Sequence, residues 1–218
     1  MRLCVVNEYV VLGRVREFRY LGSQISEDLT SIREVKTRLA IATQQLSKFK
    51  KIWTSNTIRV KVKVNILRAV VLATALYGCE SWTLTPNLEK RIEAFEMRCF
   101  RRLLSIPYTA HRTNESVCAE ITTHIGQYEP LIEIVRRRKL QWFGHLARHP
   151  GTLAHTILQG YIDGKRKPGR PKTNWSQNIQ TWTEQNITDC YGLAYDRVGW
   201  RELVRKAKTP LRLAATGQ

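Results

Sequence analysis

The chain is predicted to be mainly α-helical: a small N-terminal β element, then an antiparallel helix pair, then a C-terminal helical region. Three observations predict this. Apolar residues recur at helical spacing through most of the 218 residues. A short loop separates the first two helical stretches, which makes them antiparallel neighbours. Strand-type patterning is confined to the first 25 residues. With 43% hydrophobic residues, six Trp and eight Tyr, the chain is too apolar for disorder and has enough for one or two packed domains.

Taken in order, residues 2–25 read as strand. Leu3, Val5 and Val6 form one run, and Val10 to Leu12, Gly13 and Val15 to Leu21 a second. A turn is expected at Asn7-Glu8, with Gly22-Ser23 ending the element. Ile32, Val35, Leu39, Ala42, Leu46, Phe49 and Trp53, spaced alternately by three and four, draw an apolar stripe along one helix face, capped by Ser26 or Asp28. Thr54-Ser55-Asn56 is loop. Thr57 is placed to cap a second helix through about Tyr77, whose C-terminal half is apolar enough to be buried on most sides.

Thr85-Pro86 opens a third helix with Leu88, Ile92, Phe95, Cys99 and Leu103 inward, ending before Pro107. A short helix is expected over 113–121. Another follows Pro130, with Leu131, Ile134, Val135, Leu140 and Trp142 as its apolar face, and ends near Pro150. Residues 150–172, rich in Gly and Pro, read as loop. Trp175, Ile179 and Trp182 restart a helix, and Thr188 caps a last one carrying Leu193, Val198, Trp200 and Leu203. The units expected are therefore 1–23, 24–105, 106–149, the basic loop 150–172 and 173–208.

The net charge of +18 and a pI near 10.1 suit a nucleic-acid binder, an anionic-membrane binder or a ribosomal-type protein. Distribution is more telling than the total. Between Glu34 and Glu80 stand Lys36, Arg38, Lys48, Lys50, Lys51, Arg59, Lys61, Lys63 and Arg68, with no acidic residue among them. Like charges on a helix surface repel. A polyanion laid across them relieves that repulsion and releases its condensed counterions. The most apolar run, Ala69 to Tyr77, is far shorter than the ~20 residues of a membrane span. Asn7 and Glu8 interrupt the only N-terminal apolar stretch, and the five cysteines, Cys4, Cys79, Cys99, Cys118 and Cys190, are odd in number and scattered. These features point to an intracellular protein, nuclear or cytoplasmic, not secreted and without a membrane partner.

Two further basic clusters stand out. Arg136, Arg137, Arg138 and Lys139 share a helix with Trp142 and Phe143; Trp142 reads as core, while the cations read equally as phosphate contacts or as a solvated face. Lys165, Arg166, Lys167, Pro168, Gly169, Arg170, Pro171 and Lys172 are similar to an AT-hook, in which Gly-Arg-Pro lies along a narrow A·T minor groove. Pro168 stands where that pattern has a second arginine, and a plain basic linker is the competing reading. His145 and His149, or Cys118 and His124, do not complete a zinc set, and no cofactor is expected.

In order along the chain come EFRYLGSQISED, the basic helix pair, LYGCESWTLT, RIEAFEMRCFRRLLSI, RRRKLQWFGHLAR, GRPKTNW and DRVGWRELV. Together these motifs resemble the C-terminal part of the endonuclease–reverse transcriptase of LINE-like (non-LTR) retrotransposons, from about Val15 to Lys206. The resemblance implies that Phe18, Tyr20, Leu21 and Gly22 are a palm remnant with a primer-grip element. It makes the two following helices a thumb on the template–primer, whether RNA–DNA hybrid or DNA duplex, with Lys48, Lys50, Lys51, Arg59, Lys61 and Lys63 as backbone contacts. The later segments would be post-thumb.

Polymerisation requires palm carboxylates holding two metals ~4 Å apart. This sequence has four aspartates, Asp28, Asp163, Asp189 and Asp196, none adjacent and none before Tyr20. The expectation is a catalytically incomplete reverse-transcriptase fragment that binds nucleic acid through phosphates, with any palm supplied by a separate chain. The alternatives are a domesticated AT-hook-like DNA-binding module or a non-functional transposon remnant.

Overall fold

The computed structural model describes residues 17–26, 30–159 and 173–207. It is mostly helical with a two-stranded antiparallel sheet at the N-terminal end, as the patterning predicts. Strands β1 (Glu17–Tyr20) and β2 (Ser23–Ser26) pair with Phe18 opposite Ile25 and Tyr20 opposite Ser23. Leu21 and Gly22 make the two-residue turn with φ of 47° and 81°. Two successive positive values match the twist of the strands, and glycine takes the second without steric cost. Gly22 therefore turns a hairpin instead of ending a strand. The run expected before Val15, with its turn at Asn7-Glu8, lies outside the described residues.

Helix α1 (Ile32–Lys48) buries Val35, Ala42 and Leu46, while Ile32, at its first turn, stays on the surface. The expected single helix through Trp53 is broken at Phe49 and resumes as the short α2 (Lys50–Thr54). The break folds Trp53 back so that its indole Nε1 donates to the Leu46 carbonyl at 2.7 Å. The return rod begins at Val60, not at Thr57, whose hydroxyl pairs with Ser55 at 2.9 Å instead. It runs as α3 (Val60–Ile66), a π-helical segment (Leu67–Leu72) and α4 (Ala73–Ala75). The pair is antiparallel: Lys63 reaches Trp53 at one end, and Tyr77 meets Arg38 nearer the other.

Helix α5 (Pro86–Leu103) starts as expected, with Thr85 accepting from the Leu88 amide and proline at the first turn. Helix α6 (Asn114–Ile125) is capped by Thr113, and α7 (Leu131–Ala147) follows Pro130. Part of the expected 150–172 loop is helical, as α8 (Leu153–Gln159). Helix α9 (Trp175–Thr183) is capped by Asn174. The expected last helix is two: α10 (Ile187–Tyr195), beginning after Asn186 instead of Thr188, and α11 (Arg197–Lys206). Asp196 makes the division, its carboxylate accepting from the Val198 amide at 2.9 Å as an N-cap.

Two apolar cores result. The first gathers Val35, Trp53, Leu67, Trp82, Ile92, Phe100 and Ile121, and takes in the first half of α7 through Val135. The second is built on the other half of α7, where Leu140, Phe143 and Ala147 meet Ile179, Ala194, Trp200 and Val204. Helix α7 is thus the spine common to both. Where α11 crosses it, Gly144 lets Trp200 lie against the helix backbone and donate its indole N–H to the Leu140 carbonyl at 3.1 Å. The WFGH and VGW motifs are the two halves of this one contact.

Candidate nucleic-acid interface

The helix hairpin of α1 to α4 ends in a tip formed by the last turn of α1, α2 and the start of α3. Lys48, Lys50, Lys51, Arg59 and Lys61 are all exposed there. Ion pairs among the described residues join Arg33 to Glu17, Arg38 to Glu34, Arg112 to Glu120, Arg136 to Glu89 and Glu133, and Arg137 to Glu129. None of these reaches the five tip cations. Their shape is fixed from beneath, since Trp53 ties α2 to α1 and Lys63 ties α3 to α2.

Lys63 is therefore not a phosphate contact. It is buried, and its ammonium donates to the Trp53 carbonyl at 2.7 Å, satisfying an orphan acceptor at the end of α2. Arg38 is also withdrawn from the surface. Its Nε donates to Glu34 at 2.7 Å and its Nη2 to the Gly22 carbonyl at 2.5 Å, and its guanidinium lies 4.3 Å from the Tyr77 ring centroid. The Tyr77 hydroxyl donates to the Leu21 carbonyl at 3.2 Å. The Tyr-Leu-Gly turn is thus clamped onto the helix pair by residues of two other motifs. Tyr20 itself is 57% exposed, within 6.4 Å of the Phe18 ring. From Arg38 at the clamp to Lys48 at the tip is ten residues of helix, ~15 Å at 1.5 Å per residue, or about four base-pair steps of 3.4 Å.

The Arg136 to Lys139 cluster does not act as one patch, because successive helix residues point ~100° apart. Arg136 is buried against Glu89 at 3.3 Å and Glu133 at 3.8 Å. Arg137 makes a two-pronged bond to Glu129 at 2.9 and 3.0 Å. Arg138 is exposed, with one nitrogen 3.4 Å from the Leu76 carbonyl. Lys139 is 0% exposed and contacts no solvent-borne ligand. Its Nζ donates to the Trp82 carbonyl and Asn178 Oδ1, both at 2.7 Å, with the Trp175 ring 4.7 Å away. Burial pushes its pKa down to about 6. Asn178 completes the clasp by exchanging two hydrogen bonds with the Leu84 backbone, at 2.8 and 2.9 Å. Lys139 and Asn178 join the two cores, a role that spacing does not disclose.

Trp142, expected in the core, is 41% exposed and stacks on His145. Lys165, Arg166, Lys167, Arg170 and Lys172, with the whole Gly-Arg-Pro motif, lie outside the described residues. Among the described residues no group of three or more His, Cys, Asp or Glu is placed to hold a metal, and no helix is long and apolar enough to cross a membrane. Burial pushes the thiols of Cys79 and Cys99 up, to about 11 and about 12, so both are unreactive core residues.

The fold and surface define a two-core helical protein with a cationic tip that no carboxylate pairs among the described residues. No family model matches the chain, and no solved structure matches it with significance. The chain is similar to a transposon-derived protein of Caenorhabditis elegans, 29% identical over 206 residues that cover 91% of this chain and 73% of that protein. The likeness covers nearly the whole length of this chain.

Proposed function

We propose that this chain is the thumb and post-thumb portion of a non-LTR retrotransposon reverse transcriptase, holding duplex nucleic acid through its phosphates without polymerising. The observation that carries the reading is the hairpin tip: Lys48, Lys50, Lys51, Arg59 and Lys61 are exposed, share one end of the helix pair and have no carboxylate partner among the described residues. Phosphate contacts position a protein without reading sequence, so the ligand is defined by backbone geometry. The transposon-derived relative supports the origin. The order of motifs supports the assignment to a reverse transcriptase.

The clamped Tyr-Leu-Gly turn fits this role. Arg38 and Tyr77 fix its backbone, which leaves Phe18, Tyr20 and Leu21 exposed on the hairpin, where a primer end or a palm would sit. Catalysis is not assigned, since the sequence contains no adjacent aspartates to hold paired metals.

The test compares the wild type with a variant carrying glutamine at Lys48, Lys50, Lys51, Arg59 and Lys61. Probes are an RNA–DNA hybrid and DNA duplexes of two unrelated sequences. The variant is expected to lose about tenfold or more in affinity at low salt, by a similar factor on every probe. Unchanged affinity on the hybrid and on both duplexes would reject the interface.

A further inference from the structure

Beside the second core, α7 and α11 border a groove of about 1110 Å³. It lies apart from the hairpin tip, and none of the residues assigned to the tip lines it. Two independent features meet there: His145 and His149 line the groove, and Trp142 stacks on His145 just outside its lining. Along the exposed edge of α7, Trp142, His145 and His149 form a ladder of rings. The Trp142 and His145 centroids are 5.4 Å apart with planes 19° from parallel, and those of His145 and His149 are 4.2 Å apart. The ladder is held from the backbone, because His149 Nδ1–H donates to the His145 carbonyl at 2.6 Å.

Facing it, α11 presents Arg197, Arg201 and Arg205, one helical turn apart, all exposed and all lining the groove. No ion pair among the described residues engages any of the three. Glu129 and Glu133 also line it, but Arg137 and Arg136 already neutralise them, which leaves Glu202 as its remaining carboxylate. Arg148, donating to the Ala194 carbonyl at 2.6 Å, places a further cation beside Arg197.

Stacked rings beside a row of unpaired arginines are the two elements of a single-strand site: bases stack on the rings while the backbone follows the cations. Duplex is ill suited to it, since bases stacked within a duplex have no free faces to offer the Trp142 ring. We infer that the α7–α11 groove binds single-stranded nucleic acid, with Trp142, His145 and His149 as the base platform and Arg197, Arg201 and Arg205 as the phosphate track. The site goes beyond the duplex-holding tip and does not depend on it. In a chain that grips a duplex, such a groove would receive an unpaired strand leading to or from it.

The full chain is titrated with a fluorescent oligodeoxythymidine of about twelve nucleotides, within the 4–16 nucleotides that such grooves cover. A blunt DNA duplex and the glutamine-substituted tip variant serve as the other arms. Trp142→Ala is expected to weaken the single-stranded probe about tenfold, given ~1–3 kcal/mol per stacked base. Trp142→Phe should restore most of that loss, and Arg197→Gln with Arg201→Gln should lower the affinity and flatten its salt dependence. Duplex affinity should be unchanged in all three variants. The tip variant should lose duplex and keep the single strand, which separates failure of this site from failure of the tip. Trp142 is on the surface, and circular dichroism confirms the fold of each variant. Single-strand affinity unaffected by Trp142→Ala and by the arginine pair, or an equal loss on duplex, would overturn the inference.

Discussion

Replacing Gly144 by alanine sets two effects against each other, and their sizes decide the sign. Alanine in a helix interior is favoured over glycine by ~1 kcal/mol, which would stabilise α7. Against this, a Cβ at 144 would sit 2.5 Å from Trp200 Cδ1 and closer still to its Nε1, where non-bonded carbons settle at ~3.5–4.0 Å. Trp200 is 3% exposed and walled in by the second core, so it cannot swing aside without opening that core. Overpacking of this kind costs ~1–3 kcal/mol. If the indole moves away, the 3.1 Å bond to the Leu140 carbonyl goes too, at a further ~1–3 kcal/mol for stranded buried groups. The net expectation is a loss of ~2–4 kcal/mol, read as a lowered urea midpoint at unchanged slope. Gly192 in α10 is the control: nothing lies within 4 Å of its would-be Cβ, so Gly192→Ala should stabilise by ~0.5–1 kcal/mol. The double change Gly144→Ala with Trp200→Leu should cost less than the sum of the single changes. A Gly144→Ala protein as stable as wild type would refute the assignment of WFGH and VGW to one packed contact.

Two buried ionisable groups give the protein opposite pH responses. Burial raises the Glu96 carboxyl to about 7, although it accepts from the Leu131 amide at 2.9 Å and so caps α7. The folded form holds that proton more tightly than the unfolded one, so the stability it contributes is present below about 4.5 and is lost as pH rises to about 7. Glu96→Gln should abolish this limb of the stability–pH curve, gaining roughly 3 kcal/mol relative to wild type between its ends; an unaltered curve would contradict it. For Lys139 the unfolded chain binds the proton more tightly, so wild-type stability should rise with pH between about 6 and 10. Lys139→Met should remove that rise, and denaturant titrations at three pH values would show whether it persists. Arg170→Ala tests the Gly-Arg-Pro segment: selective loss on A·T-rich duplex supports an AT-hook-like role, and equal loss on G·C-rich duplex eliminates it.

Patterns that repeat along one element are legible in the sequence itself. The stripe Val35, Ala42, Leu46 marked α1, and Thr85-Pro86 marked the start of α5, because both signals depend only on near neighbours in sequence. Breaks were harder. Phe49 interrupts α1 because Trp53 finds a better place folded back on Leu46, and Asp196 divides the last helices through a cap that competes with helix continuation. Site residues were legible only in part. A run of cations shows that charge is concentrated, but not which side chains turn inward to meet carbonyls, as Lys63, Arg38 and Lys139 do. Trp142 reads as core for the converse reason: helical spacing puts it two turns beyond the buried Val135, yet the buried arc of α7 passes through Phe143 and Gly144 and leaves Trp142 at the edge. The presence of Gly144 beside two aromatics was the available clue that another ring packs there, but the partner, fifty-six residues later, could be found only in space.

The central claim is that the cations of the helix-hairpin tip are there to meet phosphates, and the dependence of affinity on salt counts such contacts. On B-form duplex the slope of log affinity against log salt is ~0.9 per phosphate neutralised. Replacing Lys48, Lys50, Lys51, Arg59 and Lys61 by glutamine should therefore make the slope shallower by ~3–4.5, according to whether all five engage. Superimposable salt plots for variant and wild type would show that the tip is merely a solvated surface, and the account would fall.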